Sequence, residues 1–256
     1  PSPLAYGTEM NTQRVEFFAK NAILYPKKPY QGLGLVSSAI LHTQDGFLGN
    51  NVYKGTQKTL YNNLIYQNIL GNTNHSYKLG ISHLLDSYNE SFADSTFRRN
   101  ENVLGAFVEY TYTHAKKFTL VAGNRIDKHN LFGWQYTPRL HLKYDITENT
   151  LLRLSAGRGF RVPNPIAENF GFLVNNRRIF GDVLQPEISW NFGASLQKEF
   201  QLFDRKGSLV IDFFHTNFTN QMVVDMDRSA TEIYFTNLNG KSFANSFQTE
   251  LSYSPM

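Results

Sequence analysis

The sequence predicts an all-β fold, an antiparallel transmembrane β-barrel of which this chain is a fragment of about eleven strands. Three observations predict it: alternating polar and apolar residues, long strand candidates, and connections that alternate in length. The clearest alternation runs from Arg139 to Asp145, where odd residues are charged or histidine and even residues are apolar or aromatic. Because successive side chains of a strand point to opposite faces, this segment has one apolar face and one ionic face.

Strand candidates follow along the whole chain, and most have ten or more residues. In the first half we predict strands over residues 14–25, 32–43, 59–70 and 76–88. The alternation there breaks around Tyr61 to Leu70. In the second half it is regular within 106–113, 152–157, 190–197, 209–213 and 247–253. Soluble strands average about 5–6 residues, whereas a tilted membrane strand needs roughly 9–11, so the lengths favour a membrane barrel over a soluble sandwich.

The connections between these strands alternate between short and long. Short ones are predicted at residues 26–29, 71–75, 114–117, 145–149 and 204–207. Longer ones are predicted at 44–58, 89–100, 163–186 and 221–231, and the segment near 129–134 is the exception. Outer-membrane barrels have short periplasmic turns and longer external loops. A soluble meander is the alternative, but its turns need not alternate in this way.

Composition excludes several classes of protein. No run approaches the roughly 18–20 apolar residues of a transmembrane helix, so a helical membrane protein is excluded. Cysteine is absent, which removes disulfides, thiol nucleophiles and thiolate metal sites. The net charge is +4 and the Lys and Arg residues are scattered, so nucleic acid is not an expected partner.

Both ends of the chain look cut. The sequence begins Pro1-Ser2-Pro3, without an initiator Met or a signal peptide, and it ends just after a strand-like run at Tyr253. We therefore expect residues 1–256 to be part of one outer-membrane β-barrel domain that is truncated at both ends.

Four segments carry a resemblance to a known family. They are Tyr136–Leu140 (YTPRL), Leu154–Pro163 (LSAGRGFRVP), Leu184–Asn191 (LQPEISWN), and Tyr234–Asn237 (YFTN) with the strand that ends at Tyr253. In order and spacing they are similar to the C-terminal half of a TonB-dependent outer-membrane receptor barrel, from about Gly105 onward. The resemblance implies a barrel wall without the N-terminal plug domain of such receptors.

The resemblance also implies a function. Receptors of this family take up a scarce nutrient, such as a ferric siderophore or another metal chelate, across the outer membrane of a Gram-negative bacterium. The implied partners are outer-membrane lipid and lipopolysaccharide, the protein's own plug domain, the TonB-ExbB-ExbD complex acting through the plug, and a small nutrient ligand. A passive porin-type channel and an outer-membrane adhesin or binding barrel remain the alternatives.

Two sets of residues are candidates for this function. By the resemblance, polar side chains of the inner wall contact the plug, which implies this role for Arg139, His141, Arg153 and Arg158. Pairing of these side chains with acidic neighbours on adjacent strands is an equal alternative. In the loop 163–186, an aromatic residue, two amides and a double arginine suit an anionic or aromatic ligand; they are Phe172, Asn175, Asn176, Arg177 and Arg178. The alternative is a solvated loop whose cations face lipopolysaccharide.

Other chemistry finds no support in the sequence. The seven histidines show no metal-ligand spacing on a credible helix, so we expect no metal site. Gly-x-Ser-x-Gly, P-loop and dinucleotide motifs are absent, so we expect neither an enzyme nor a bound cofactor.

Overall fold

One long antiparallel sheet makes up most of the protein. The computed structural model describes residues 7–175, 177–181 and 183–254. The sheet consists of β1 (Gly7–Tyr25), β2 (Lys28–Gly49), β3 (Asn51–Leu70), β4 (Asn72–Phe92), β5 (Ser95–His114), β6 (Phe118–His129), β7 (Gly133–Tyr136), β8 (Arg139–Thr147), β9 (Thr150–Arg161), β11 (Glu187–Leu202), β12 (Arg205–Thr219) and β15 (Ser242–Tyr253). Because β7 and β8 both pair with β6, they share one strand position in the sheet. The sheet therefore has eleven strand positions, which confirms the predicted number of about eleven strands.

The strands of this sheet follow one another in sequence order from β1 to β15, and the short strands of the connections 162–186 and 220–241 belong to a second sheet. The sheet is open, with β1 and β15 at its two edges. Five short turns lie at one end of the strands, which we name the turn edge; they are residues 26–27, 71, 115–117, 148–149 and 203–204. Gly71 forms its turn alone with φ +75°, a conformation that strains residues with a Cβ. At the opposite end, the loop edge, lie the connections 50, 93–94, 130–132, 162–186 and 220–241.

Two of the predicted long loops are instead the paired ends of long β-hairpins. The predictions for 44–58 and 89–100 are wrong, since β2 runs to Gly49, β3 begins at Asn51, β4 runs to Phe92 and β5 begins at Ser95. These four strands have 20 to 22 residues each. The two remaining long connections are confirmed, and both contain short secondary structure.

The strand register gives the sheet two unlike faces, because directly paired residues lie on the same face. We name the first the apolar face. On β4 it carries Leu85, Ile81 and Tyr77, and on β5 it runs from Leu104 to Tyr112. Each of these apolar stretches contains nine residues and is roughly 27 Å long, close to the apolar band of about 25 Å on outer-membrane barrels.

Polar residues on the apolar face are paired with one another. Ser37 donates to Asn62 Oδ1 at 2.7 Å, and Nε2 of His83 lies 2.9 Å from Asn102 Oδ1. This pairing explains the break in the alternation near Tyr61, because Asn62 takes a position on the apolar face. Among the described residues, no helix is both long and apolar enough to span a membrane.

On the opposite surface, the polar face, glycines leave space in which long side chains of neighbouring strands lie across the sheet. At Gly105 a Cβ would collide with Asp127 and Arg125, whose side chains cross β5 at this point. Arg125 binds both carboxylate oxygens of Asp127, at 2.6 and 2.8 Å, and donates to Ser82 at 2.7 Å. Gly123 likewise leaves room for Arg139, whose guanidinium reaches over β6 to Glu109. Ion pairs thus join strands that are not neighbours.

Another glycine, Gly46, allows β1 and β2 to approach each other closely near the loop edge. A Cβ at Gly46 would collide with the carbonyl oxygen of Glu9 and lie 3.0 Å from the Cα of Met10. Because the obstacle is backbone, we expect Gly46→Ala to lower the free energy of unfolding by about 1–3 kcal/mol. Chemical unfolding of the refolded protein measures this change, and Gly34→Ala, which would meet only the carbonyl oxygen of Asn21 at 3.8 Å, is the control. Equal stability of both variants would contradict the expectation.

Candidate ligand-binding site

The two long connections at the loop edge fold into a separate small sheet, which we name the cap. It contains β10 (Arg178–Gly181), β14 (Glu232–Asn237) and β13 (Met222–Asp225), in that spatial order. A short 3-10 helix, Phe170–Phe172, precedes β10. Alternation within β14 sends Ile233 and Phe235 to one side, and both are almost fully buried. The cap therefore has an apolar underside that needs a partner.

That partner is the polar face of the main sheet at the loop edge. Leu48, Tyr53 and Phe92, from the ends of β2, β3 and β4, form one buried cluster with the cap. The cap contributes Ile166, Leu173, Ile233 and Phe235 to this cluster. The long hairpins thus extend past the apolar band in order to hold the cap, which lies over one end of the polar face.

A cavity of about 660 Å³ lies between the cap and the ends of β4 and β5. Its size falls within the range of about 300–1,000 Å³ that is typical of small-molecule sites. Its apolar lining comes from both connections and from the main sheet; it includes Phe97, Leu131, Phe132, Val162, Ile166, Ile179, Leu184 and Phe235. A few polar groups, chiefly Tyr88, Glu90 and Arg99, complete the lining.

Glu90 is the buried acid of this cavity. Only 3% of the residue is exposed, and its Oε1 accepts a hydrogen bond of 2.8 Å from the hydroxyl of Tyr53. Burial raises the pKa of Glu90, an effect that the Tyr53 hydrogen bond and the charge of Arg99 oppose. Burial also raises the pKa of Tyr88 to about 12, assisted by the nearby Glu90. The site therefore combines a carboxyl group that is costly to ionise with a neutral phenol.

Arg99 fastens the first connection to the main sheet. Its Nη1 donates to the carbonyl oxygen of Pro163 at 2.9 Å, and its Nη2 binds the side chain of Asn164. Its Nε lies 2.5 Å from Glu101 Oε1, and His129 Nε2 lies 3.2 Å from the other oxygen of Glu101. Both Nη atoms of Arg99 therefore donate to protein groups, while its buried Nε forms an ion pair with Glu101 without the geometry of a hydrogen bond.

Arg161 provides a second attachment at the end of β9. Its Nη1 pairs with Glu168 at 2.6 Å, and its Nε donates to Glu187 at 2.8 Å. Glu168 Oε1 in turn accepts a hydrogen bond of 3.0 Å from the backbone N–H of Asn164. The segment 162–169 is thus attached both to Arg99 on β5 and to Arg161 at the end of β9.

The raised pKa of Glu90 predicts a pH-dependent effect of Glu90→Gln. Since the folded state holds this proton more tightly than the unfolded state, wild-type stability falls as pH rises from about 4.3 through the folded pKa. Glutamine retains an oxygen for Tyr53 and does not ionise. We expect the variant to gain melting temperature over wild type at pH 8 and to lose this advantage at pH 4. A melting series followed by circular dichroism measures it, and a difference that does not vary with pH contradicts the expectation.

The predicted ligand residues of the loop 163–186 lie on the cap, outside the cavity lining. Phe172 and Arg178 are exposed. Asn175 donates to the carbonyl oxygen of Phe172 at 2.6 Å, and Arg177 donates to that of Met226 at 2.9 Å. Asn176 lies outside the described residues. Arg177 and Asn175 therefore shape the cap, while Phe172 and Arg178 face solvent.

The structure separates the four residues predicted to contact a plug. Arg139, His141 and Arg153 lie on the polar face, since Arg139 is paired with Gly157 and His141 with Ser155 in the same alternating register. Arg158 lies on the apolar face, paired with Trp190. Arg158 therefore lies on the opposite face from the other three, because it is five positions from Arg153 along an unbroken strand.

For Arg139 the alternative of pairing within the wall is realised. Its guanidinium pairs with Glu109, which also accepts from Lys78 at 2.9 Å. Arg153 lies 3.4 Å from Gln197 Oε1, and His141 is exposed. The polar face thus offers His141 and Arg153, rather than Arg139, to another molecule.

Sequence reasoning missed Tyr88, at the end of the predicted strand 76–88, and Glu90 and Arg99, in the segment 89–100 that was taken as a loop. The register of β4 places Tyr88 and Glu90 on the polar face, but no alternation in the sequence marks them. Phe235 was noted only as part of a family motif. Within the described ranges, no cluster of three or more His, Asp or Glu side chains could hold a metal ion.

Comparisons with known proteins agree with this architecture. The family model for TonB dependent receptor-like β-barrels matches residues 6–254. No curated protein has a matching sequence. Among solved structures, the siderophore receptor PirA of Pseudomonas aeruginosa is similar with a TM-score of 0.68 and 15% identity, over 94% of this chain and 47% of that chain.

Two further structures are similar at comparable levels. One is a double mutant of the Serratia marcescens hemophore receptor HasR in complex with its hemophore HasA and heme, with a TM-score of 0.74 and 14% identity over 98% of this chain and 48% of that one. The other is the siderophore receptor PirA of Acinetobacter baumannii, with a TM-score of 0.71 and 12% identity over 96% and 43%. The chain spans less than half of each of these proteins, and identities this low compare the fold alone.

Proposed function

Because this chain belongs to the TonB-dependent receptor-like β-barrel family, we propose that it forms part of an outer-membrane receptor for active uptake of a scarce nutrient. A ferric siderophore or another metal chelate is the nutrient class we propose. The family match over residues 6–254 carries this proposal, and the similarity to solved siderophore and hemophore receptors supports it.

The placement of the faces supports an orientation in the outer membrane of a Gram-negative bacterium. In such a barrel the apolar face meets lipid and the polar face lines the interior. Short turns face the periplasm and long connections face outward. We therefore propose that the cap faces the outside of the cell, next to lipopolysaccharide, where it meets the nutrient first.

The remaining partners follow from the same proposal. Strands beyond β1 and β15 would close the barrel, since both edges of this sheet are open. His141 and Arg153 on the polar face are the proposed contacts for a plug domain, and the plug would pass force from TonB-ExbB-ExbD. Phe172 and Arg178 are kept as proposed contacts for the nutrient on the outer surface of the cap.

A cap that packs over one end of the polar face favours a gated receptor over a passive porin. The test is uptake of radioactively labelled ferric siderophores and haem by cells that carry or lack the gene. We expect uptake that requires the gene and stops when the proton motive force is collapsed. Uptake that persists after the collapse supports the passive channel, and no difference between the two strains contradicts the proposal.

A further inference from the structure

The cavity beneath the cap has the properties of a site for a mainly apolar group. Most of its lining is aliphatic or aromatic and comes from four separate segments of the chain. One of its walls is fastened at two points, because Arg99 and Arg161 both attach the segment 162–169, which contributes Val162, Pro163, Pro165 and Ile166 to the lining. A preformed apolar space of this size binds a ligand without first ordering its own walls.

Polar recognition in this cavity depends on an acceptor. The Arg99 guanidinium pairs with Glu101 and donates to Pro163 and Asn164. Arg98 also lines the cavity, but it is paired with Asn89 on the opposite face of the sheet from Glu90, and its Nε donates to the Asn89 side chain at 3.3 Å. Glu90, almost fully buried, lines the cavity, and Tyr53 is bonded to one of its two carboxyl oxygens. A ligand that brings an N–H or O–H donor compensates the desolvated carboxyl group, and a protonated amine does so best. An anionic group placed beside Glu90 would instead be repelled in a medium of low dielectric constant.

We propose that this cavity binds an aliphatic or aromatic group that presents a protonated amine, or another N–H or O–H donor, to Glu90. This inference rests on the proposed function, because it names the chemistry of the part of the nutrient that the cap would hold. It excludes polyanionic groups and glycans from the cavity itself.

The test uses the full-length protein purified in detergent and two fluorescent probes. One is dansylcadaverine, an aromatic group on a short chain that ends in an amine. The other carries the same dansyl group on a chain of similar length that ends in a carboxylate. We expect saturable binding of the amine probe, with a rise in dansyl fluorescence, and binding of the carboxylate probe that is at least about tenfold weaker.

Variants then assign the binding to Glu90. Glu90→Gln keeps the volume and removes the charge, so it should weaken the amine probe by about tenfold while leaving the carboxylate probe unchanged or tighter. Glu250→Gln, on the exposed polar face of β15, is the matched control and should change neither. If Glu90→Gln does not fold, the two probes on the wild-type protein still decide the proposal.

Each other result overturns the inference. Equal affinity for both probes rejects a donor-specific site, and an unaltered amine affinity in Glu90→Gln rejects Glu90 as its anchor. Absence of saturable binding by either probe rejects the cavity as a site. Nutrient uptake by cells is measured without these probes, so probe discrimination without uptake rejects the proposed function alone, and uptake without discrimination rejects this inference alone.

Discussion

Leu140→Arg is expected to lower the free energy of unfolding by about 2–4 kcal/mol, because an arginine at the middle of the lipid-facing band must leave water for hydrocarbon. Leu140 lies on the apolar face, 45% exposed, midway between Tyr136 and Tyr144. Aromatic residues at these two levels are typical of the interfaces on either side of a bilayer. The loss is measured by denaturant titration of the full protein in lipid vesicles, followed by tryptophan fluorescence.

The neighbouring His141→Arg is the matched control. It adds the same side chain one residue along β8, where the register points it to the polar face. Because the new side chain stays on the interior face and does not enter hydrocarbon, the expected change is within about 0.5 kcal/mol. If both variants lose the same stability, the assignment of the two faces to lipid and interior is refuted.

The second large effect is expected for Asp127→Ala, at about 3 kcal/mol of lost unfolding free energy. Asp127 is 3% exposed and binds Arg125 through both of its oxygens. Removing the carboxylate leaves a guanidinium that is half-hidden above Gly105 without its counter-charge. This loss is at the lower end of the range of about 3–5 kcal/mol for breaking a buried ion pair, because 32% of the Arg125 side chain is exposed.

Asp145→Ala tests whether the large loss of stability in Asp127→Ala comes from the burial of the ion pair rather than from its charge alone. Asp145 pairs with Lys143 at 3.1 Å, with side chains 28% and 46% exposed. An exposed pair contributes at most about 1 kcal/mol. The same vesicle titration compares both variants, and raising the salt concentration should reduce only the small effect of Asp145→Ala. A loss in Asp127→Ala no larger than that in Asp145→Ala would show that the crossing over Gly105 adds nothing.

The sequence was sufficient to predict the strands of the barrel wall but not how far β2 to β5 extend beyond the lipid band. Within the lipid band, one face must be apolar, so residues such as those from Arg139 to Asp145 alternate clearly. Beyond Leu85 on β4 and before Leu104 on β5, the same face carries Ser87, Asn89 and Asn100. There the hairpin lies outside the lipid band, so both of its faces meet an aqueous environment. The alternation therefore vanishes from the sequence while the hydrogen-bonded ladder continues.

The cavity was beyond prediction because long-range packing creates it. Glu90 and Phe235 are 145 residues apart in sequence, and no local pattern places them together. The loop 163–186 was rightly singled out by its length, yet its aromatic and cationic residues face away from the cavity. Arg158, by contrast, could have been placed correctly, since counting from Arg153 within the predicted strand puts it on the apolar face.

The glycines of the polar face affect how freely a body in the barrel could slide. From Ser82 to Arg139, long side chains lie flat across glycine gaps and satisfy one another within the wall. If the proposed plug domain moves past this region, it would break few ion pairs with the wall, so the wall would oppose its displacement only weakly. Contacts with the exposed His141 and Arg153 would supply most of the resistance.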